Sequence, residues 1–162
     1  MKIVTIGVYG FSEAACFAAL QGAGVDLFCD IRQRRGVRGA EYAFVNSQRL
    51  QKRLAELGIG YCHRPELAPT PTIRNQQKVA DKTAKIAKRQ RSGLSPQFVA
   101  AFQTAVLADF DSHAWQQKMG QANVVALFCV EREPAACHRS LVAHKLQTDL
   151  AVTVEHILPN GK

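Results

Sequence analysis

Two periods divide the pattern of hydrophobic and polar positions. Five short apolar runs, at residues 2–6, 25–31, 59–62, 124–130 and 152–157, are bounded by Gly, Pro or charged groups and predict strands. Between them apolar residues recur at helical spacing. Ser12 is placed to cap a helix carrying Ala15, Cys16, Ala19 and Leu20, which Gly22 and Gly24 stop. Asn46 or Ser47 caps a second, with Leu50, Leu54 and Leu57 along one side and Gly58 at its end. Residues 75–91 permit a helix but hold few large apolar groups. Ser95 and Pro96 give the cap-then-proline signal for another, with Phe98, Phe102, Ala105 and Val106 as its core face, and Trp115 closes a further short one. The last long helix is expected over 135–150. Pro65, Pro69 and Pro71 hold the segment after the third strand extended. Alternation of strand and helix predicts parallel strands with right-handed crossovers. The expected fold is a single α/β domain over residues 1–162, three layers deep, with a mainly parallel sheet of about five strands.

Charge is spread unevenly over this framework. The net charge is +8, but residues 32–91 hold 15 Lys/Arg against 4 Asp/Glu, while the rest of the chain holds 6 against 9. A basic middle on a slightly acidic frame points to an anionic partner, either a phosphorylated small molecule or nucleic acid. Within it Lys78, Lys82, Lys85 and Arg89 recur at spacings of 4, 3 and 4. They are expected on one helical face, able to track a phosphate backbone or simply solvated. No apolar run approaches the roughly 20 residues of a membrane span, so no membrane partner is expected. The opening residues, MKIVTIGVYG, read as a strand and not as a secretory leader. Five scattered cysteines disfavour a disulfide scaffold and fit reduced thiols in the cytoplasm.

In a parallel α/β sheet, ligands bind beyond the carboxyl ends of the strands. Those ends carry Tyr9 in the turn Gly7-Val8-Tyr9-Gly10, then Asp30 and Arg32, then His63 and Glu66, then Cys129, Glu131 and Cys137-His138-Arg139. Asp30 and Glu131 are candidates for acid/base or metal-coordinating work, or for structural pairing with Arg32 or Arg139. A thiol at a helix start, beside a histidine and an arginine, favours its thiolate, which makes Cys137 a candidate nucleophile. A buried structural thiol is the alternative. The same helix start, with His138 and Arg139, suits an anion; Tyr9, Arg32, Arg38 and His63 are further candidates for that task. Cys129, Cys137 and His138, with His63 as a candidate fourth, also offer zinc ligands, but their spacing matches no common tight knuckle and no metal is assigned from it. There is no Gly-x-Gly-x-x-Gly or Walker-type loop, and the cofactor is left open.

Four of these segments also resemble one family. They are TIGVYGFS at 5–12, VDLFCDIR at 25–32, GIGYCHRPELAPTPTIR at 58–74 and ALFCVEREPAACHRSLVA at 126–143. They are similar to the opening turn, the Asp-x-Arg strand end, the Gly-Ile-x-Tyr and Pro-Glu-Leu stretch, and the closing Cys-x-Glu and Cys-His-Arg signature of the family catalogued as domain of unknown function 488. The chain departs from that pattern at Val8-Tyr9, at Ala68, where glycine is favoured, and after Arg32, where a proline is usual. The resemblance implies an α/β fold with these segments on one rim, and no reaction. Three functions are carried forward. One is an enzyme acting on a phosphate-bearing substrate, nucleotide or nucleic acid, with Asp30, Glu131 and Cys137 reacting. Another is a non-catalytic nucleic-acid-binding module using residues 32–91. The third is a thiol or metal sensor centred on Cys129, Cys137 and His138.

Overall fold

The computed structural model describes residues 1–159, with the side chain of Arg89 outside the described residues. Strands β1 (Lys2–Gly7), β2 (Leu27–Asp30), β3 (Gly60–His63), β4 (Val124–Cys129) and β5 (Thr153–Ile157) form one sheet in the order β3-β2-β4-β1-β5. Every pairing is parallel, as strand–helix–strand crossovers require. Helices α1 (Glu13–Gly22) and α2 (Ser47–Glu56) cover one face, while α3 (Pro71–Thr83), α4 (Pro96–Phe102), α5 (Ser112–Lys118) and α6 (His138–Leu150) cover the other. Successive strand residues divide accordingly. Val4, Ile6, Phe28 and Phe128 pack with Phe17, Leu20, Leu50 and Leu54, whereas Ile3, Cys29, Val125 and Leu127 pack with Phe102, Trp115, Val142 and Leu146. Burial on both faces explains why β4, VVALFC, is an unbroken apolar run. Among the described residues no helix is long and apolar enough to cross a membrane.

Helix starts follow the cap signals, and their extents do not always follow periodicity. Ser12 Oγ accepts from Ala15 N at 3.2 Å and Ser95 Oγ from Phe98 N at 3.1 Å. Pro71 does not extend the chain but opens α3 behind the Thr70 cap, because a fixed φ and a missing N–H cost nothing at a first helical position. α3 ends at Thr83, and Lys85 adopts a left-handed φ of 56°. Lys78, Lys82, Lys85 and Arg89 therefore do not share one helical face. After Phe102 a π-turn over Gln103–Leu107 shifts the helical phase, so that Leu107 is buried, Val106 packs half-buried against the core and Ala105 is exposed. The last helix begins at His138 instead of 135. Pro134–Ala136 make a 3₁₀ turn and Cys137 is extended, as the residue just before α6.

The topology fixes where a ligand can enter. Crossovers from β1 and β2 run toward β3 over the α1–α2 face, and those from β3 and β4 run toward β5 over the other. β2 and β4 are neighbours whose outgoing connections diverge. Such a switch opens a crevice beyond the two carboxyl ends.

Candidate active site

Asp30 ends β2 and is wholly buried. Its oxygens take the guanidinium of Arg32 in two parallel bonds, Nε to Oδ1 at 2.8 Å and Nη2 to Oδ2 at 2.7 Å, and Oδ1 also accepts Arg32 N at 3.1 Å. Tyr61 donates its hydroxyl to Oδ2 at 3.0 Å. Arg32 Nη2 further donates to Val45 O at 3.0 Å, and its Cζ lies 4.6 Å from the centroid of the Phe128 ring. His63 Nε2 donates to Arg32 O at 2.8 Å, since a carbonyl can only accept. A carboxylate saturated in this way holds an arginine in place. Asp30 thus forms the buried ion pair with Arg32.

Arg139 is fully buried as well. It donates Nη1 to Glu131 O at 2.5 Å, Nη2 to Arg132 O at 2.8 Å and Nε to Thr5 Oγ1 at 3.4 Å. These bonds clamp the loop after β4 and engage three of the five guanidinium N–H groups. Gly7 makes room for the clamp: a Cβ there would lie 1.7 Å from Glu131 O and 2.9 Å from Arg139 Nη1. From the clamped loop the Glu131 carboxylate meets Lys88 Nζ at 3.2 Å and Arg91 Nη2 at 3.5 Å, both on Oε1. Burial raises the pKa of Glu131 above the ordinary carboxyl value, against the pull of Lys88 and Arg91.

Cys129, Cys137 and His138 meet at the floor of the crevice, all buried. His138 Nε2 lies 3.2 Å from Ile31 O. Because a carbonyl only accepts, Nε2 carries a proton, and Nδ1 is the nitrogen turned toward the two thiols. That nitrogen stands 3.9 Å from Cys129 Sγ and 3.8 Å from Cys137 Sγ. A hydrogen bond between the two thiols, reinforced by burial, pushes Cys129 well above the ordinary thiol value. Burial acts in the same direction on Cys137, but that bond, with His138 and Arg139 nearby, brings it well below.

These groups floor a cavity of about 720 Å³. Among the described residues seven Arg/Lys line it against two carboxylates, Asp81 and Glu131. Asp81 is held by Arg91 at 3.0 Å and by Gln77 at 2.7 Å. Among the described residues Arg34, Arg38, Arg74 and Lys78 have no carboxylate partner. Tyr9 closes one side, its ring edge-on to Tyr42 at 5.1 Å. Of the residues expected from sequence, Tyr9, Arg32, Arg38, Lys78, Cys129, Glu131, Cys137 and His138 line this one cavity. Asp30, His63 and Arg139 lie outside its lining and brace it, while Lys82 and Lys85 are exposed elsewhere. Arg34, Arg74, Lys88 and Arg91 were not singled out. The surplus of basic residues over 32–91 flagged their region, but no spacing could select them.

Fold and site together define a parallel α/β protein with a cationic cavity at the switch between β2 and β4. The model of the family described as Domain of unknown function DUF488 matches residues 13–146, and the chain belongs to that family. The match takes in β2, β4 and the Cys137-His138-Arg139 start of α6, and leaves β1 and β5 outside. Neither a curated protein nor a solved structure matches the chain.

Proposed function

We propose that the protein is an enzyme acting on a phosphate-bearing substrate, a nucleotide or a nucleic acid, in the cavity beyond β2 and β4. The observation that carries this reading is the charge of the cavity. Arg34, Arg38, Arg74 and Lys78 surround, without carboxylate partners, a floor of two thiols, an imidazole and a carboxylate. Like charges gathered in one crevice focus the field on an incoming anion, and guanidinium groups grip phosphate oxygens in pairs. A volume of about 720 Å³ suits a nucleotide. Arg34, Arg38, Arg74 and Lys78 bind the phosphate, and Cys137, His138 and Glu131 form the reacting floor. Asp30 and Arg139 act on it only by holding Arg32 and the loop after β4.

The test pairs binding with product analysis, using a panel of nucleoside mono-, di- and triphosphates and a labelled single-stranded oligonucleotide. Affinity is expected to fall steeply between about 50 and about 200 mM salt. Arg38→Ala and Arg74→Ala should each weaken binding about tenfold, and Glu131→Gln should abolish product formation while binding persists. Affinity indifferent to salt and to both arginine substitutions overturns the reading. Wild-type binding without product favours the second reading, a non-catalytic nucleic-acid-binding module. The exposed Lys82 and Lys85 beyond the rim support that module, and Lys82→Glu would then weaken oligonucleotide binding as much as Arg38→Ala does.

A further inference from the structure

We propose that Cys129, Cys137 and His138 form a binding site for one thiophilic divalent metal ion of the zinc type, with its fourth coordination position open to the cavity. The proposal rests on the preceding reading only for what fills that fourth position. Ligation by the three side chains stands on their own geometry.

Distances come first. The candidate ligand atoms all lie within 4.8 Å of one another, and Nδ1 is 3.9 and 3.8 Å from the two sulfurs. A tetrahedral centre with Zn–S of about 2.3 Å and Zn–N of about 2.0 Å sets each S···N edge at about 3.6 Å and the S···S edge at about 3.8 Å. The two S···N edges lie within about 0.2–0.4 Å of that geometry and the two sulfurs within 4.8 Å of each other, a spread that side-chain rotations absorb. The correct nitrogen also faces the sulfurs. The bond from Nε2 to Ile31 O fixes the ring with Nδ1 between Cys129 and Cys137, where a neutral imidazole turns its lone pair to an ion. Histidines that bind metals are oriented by such a bond from their other nitrogen. Thiols that merely filled space would need no bare nitrogen held between them.

Ligand type and charge select the ion. Two sulfurs and an imidazole prefer zinc or a similarly soft ion over magnesium or calcium. Two thiolates cancel the charge of a divalent cation, so the complex is tolerable beside Arg139 and the other cations of the cavity. All three ligands come from one strand–helix connection, the one that Arg139 clamps, so the site is built before any ion arrives. Among the described residues no fourth His, Cys, Asp or Glu joins the cluster. Coordination is therefore completed from the cavity, which all three residues line. Three protein ligands with one open position is the pattern of zinc sites that act on substrates, and closed sites of four protein ligands are structural.

The test uses the full chain, reduced and stripped of metal, titrated with Co²⁺. The expected result is saturation at one equivalent, with a thiolate-to-cobalt charge-transfer band and the intense visible bands of a tetrahedral centre. Zn²⁺ should displace the cobalt. Cys129→Ser and Cys137→Ser should lose the charge-transfer band, whereas Cys62→Ser, at a thiol outside the cluster, should keep it. If the cluster variants fail to fold, the wild-type titration still decides: no thiolate–cobalt band at excess Co²⁺ overturns the proposal. Inorganic phosphate should shift the visible bands of the cobalt protein, and an unmoved spectrum would overturn the open fourth position. Cobalt binding without any nucleotide or oligonucleotide binding removes the proposed substrate and keeps the metal site. Binding of those anions without a cobalt band does the reverse.

Discussion

A guanidinium shut away from water is tolerable only where oxygen atoms take up its N–H groups, and Arg139 is such a case. Arg139→Leu would leave the carbonyls of Glu131 and Arg132 facing an apolar side chain. It is expected to lower stability by about 2–4 kcal/mol, read as an earlier urea midpoint at unchanged slope. Arg139→Lys should recover little, because one ammonium cannot span two carbonyls and a hydroxyl. On the far side of this clamp the Thr5 hydroxyl accepts from Arg139 and so has its own proton free for His156 Nδ1, 2.7 Å away. His156 lies on the edge strand, largely exposed, with its Nδ1 side turned in. Partial withdrawal of the ring from water, with Arg139 behind Thr5, lowers its pKa below the ordinary imidazole value. Between that lowered value and the unfolded value of about 6.5, the unfolded chain binds the extra proton, so stability falls as pH falls through this window. Denaturation midpoints measured from neutral to mildly acid pH should show a shallower fall in His156→Gln. Equal slopes in the two proteins would remove the histidine from the account.

At the scale of elements, the segment that shapes the rim is the arginine-rich loop between β2 and α2. Asn46 precedes α2 by position, yet its side chain makes no cap bond; Oδ1 instead accepts from Val37 N at 2.6 Å. Asn46→Ala should therefore cost α2 little, raise amide exchange at Val37 and weaken anion binding several-fold through Arg34 and Arg38. Loss of helix content with unchanged exchange at Val37 would reverse that assignment. The asparagine also marks what was legible in the chain. Its type announced a helix start correctly, whereas its bond runs backward to a loop that no local rule could place. Strands were legible because their apolar runs are short and sharply bounded, and Ser12 and Ser95 because a cap is a local interaction. The start of α3 was not, since Pro71 behind Pro69 reads as extended chain until Thr70 is seen to cap it. The end of α3 was not either, since a left-handed Lys85 has no signature in sequence. The site was half legible. Its residue types stood out at the strand ends, but the sheet order was hidden, and β4 lies between β1 and β2 only in space. That insertion brings His138 against the carbonyl of Ile31 and makes one cavity of segments that lie about a hundred residues apart.

For the molecule as a whole, the proposed function makes the unevenly charged cavity both a liability and a binding device. Without an anion, Arg34, Arg38, Arg74 and Lys78 repel one another across a crevice whose two carboxylates are already engaged. Screening relieves that repulsion, so the free protein should become more stable as salt rises from low to moderate. A multiply charged anion relieves it far better. If the cavity binds it as proposed, inorganic pyrophosphate at about a hundred times its dissociation constant should stabilise the folded state by about 2.7 kcal/mol through linkage alone. For a domain of this size that corresponds to a rise in Tm of about 5–10 °C. Salt must then act in opposite directions on the two quantities, raising the Tm of the free protein and shrinking the increment due to pyrophosphate. Replacing Arg38 and Arg74 together with alanine should flatten both trends, because the same charges cause both. Scanning fluorimetry over a grid of salt and pyrophosphate reads the two at once. Trends of the same sign, or a pyrophosphate increment that survives the double substitution, would place the anion somewhere other than this cavity.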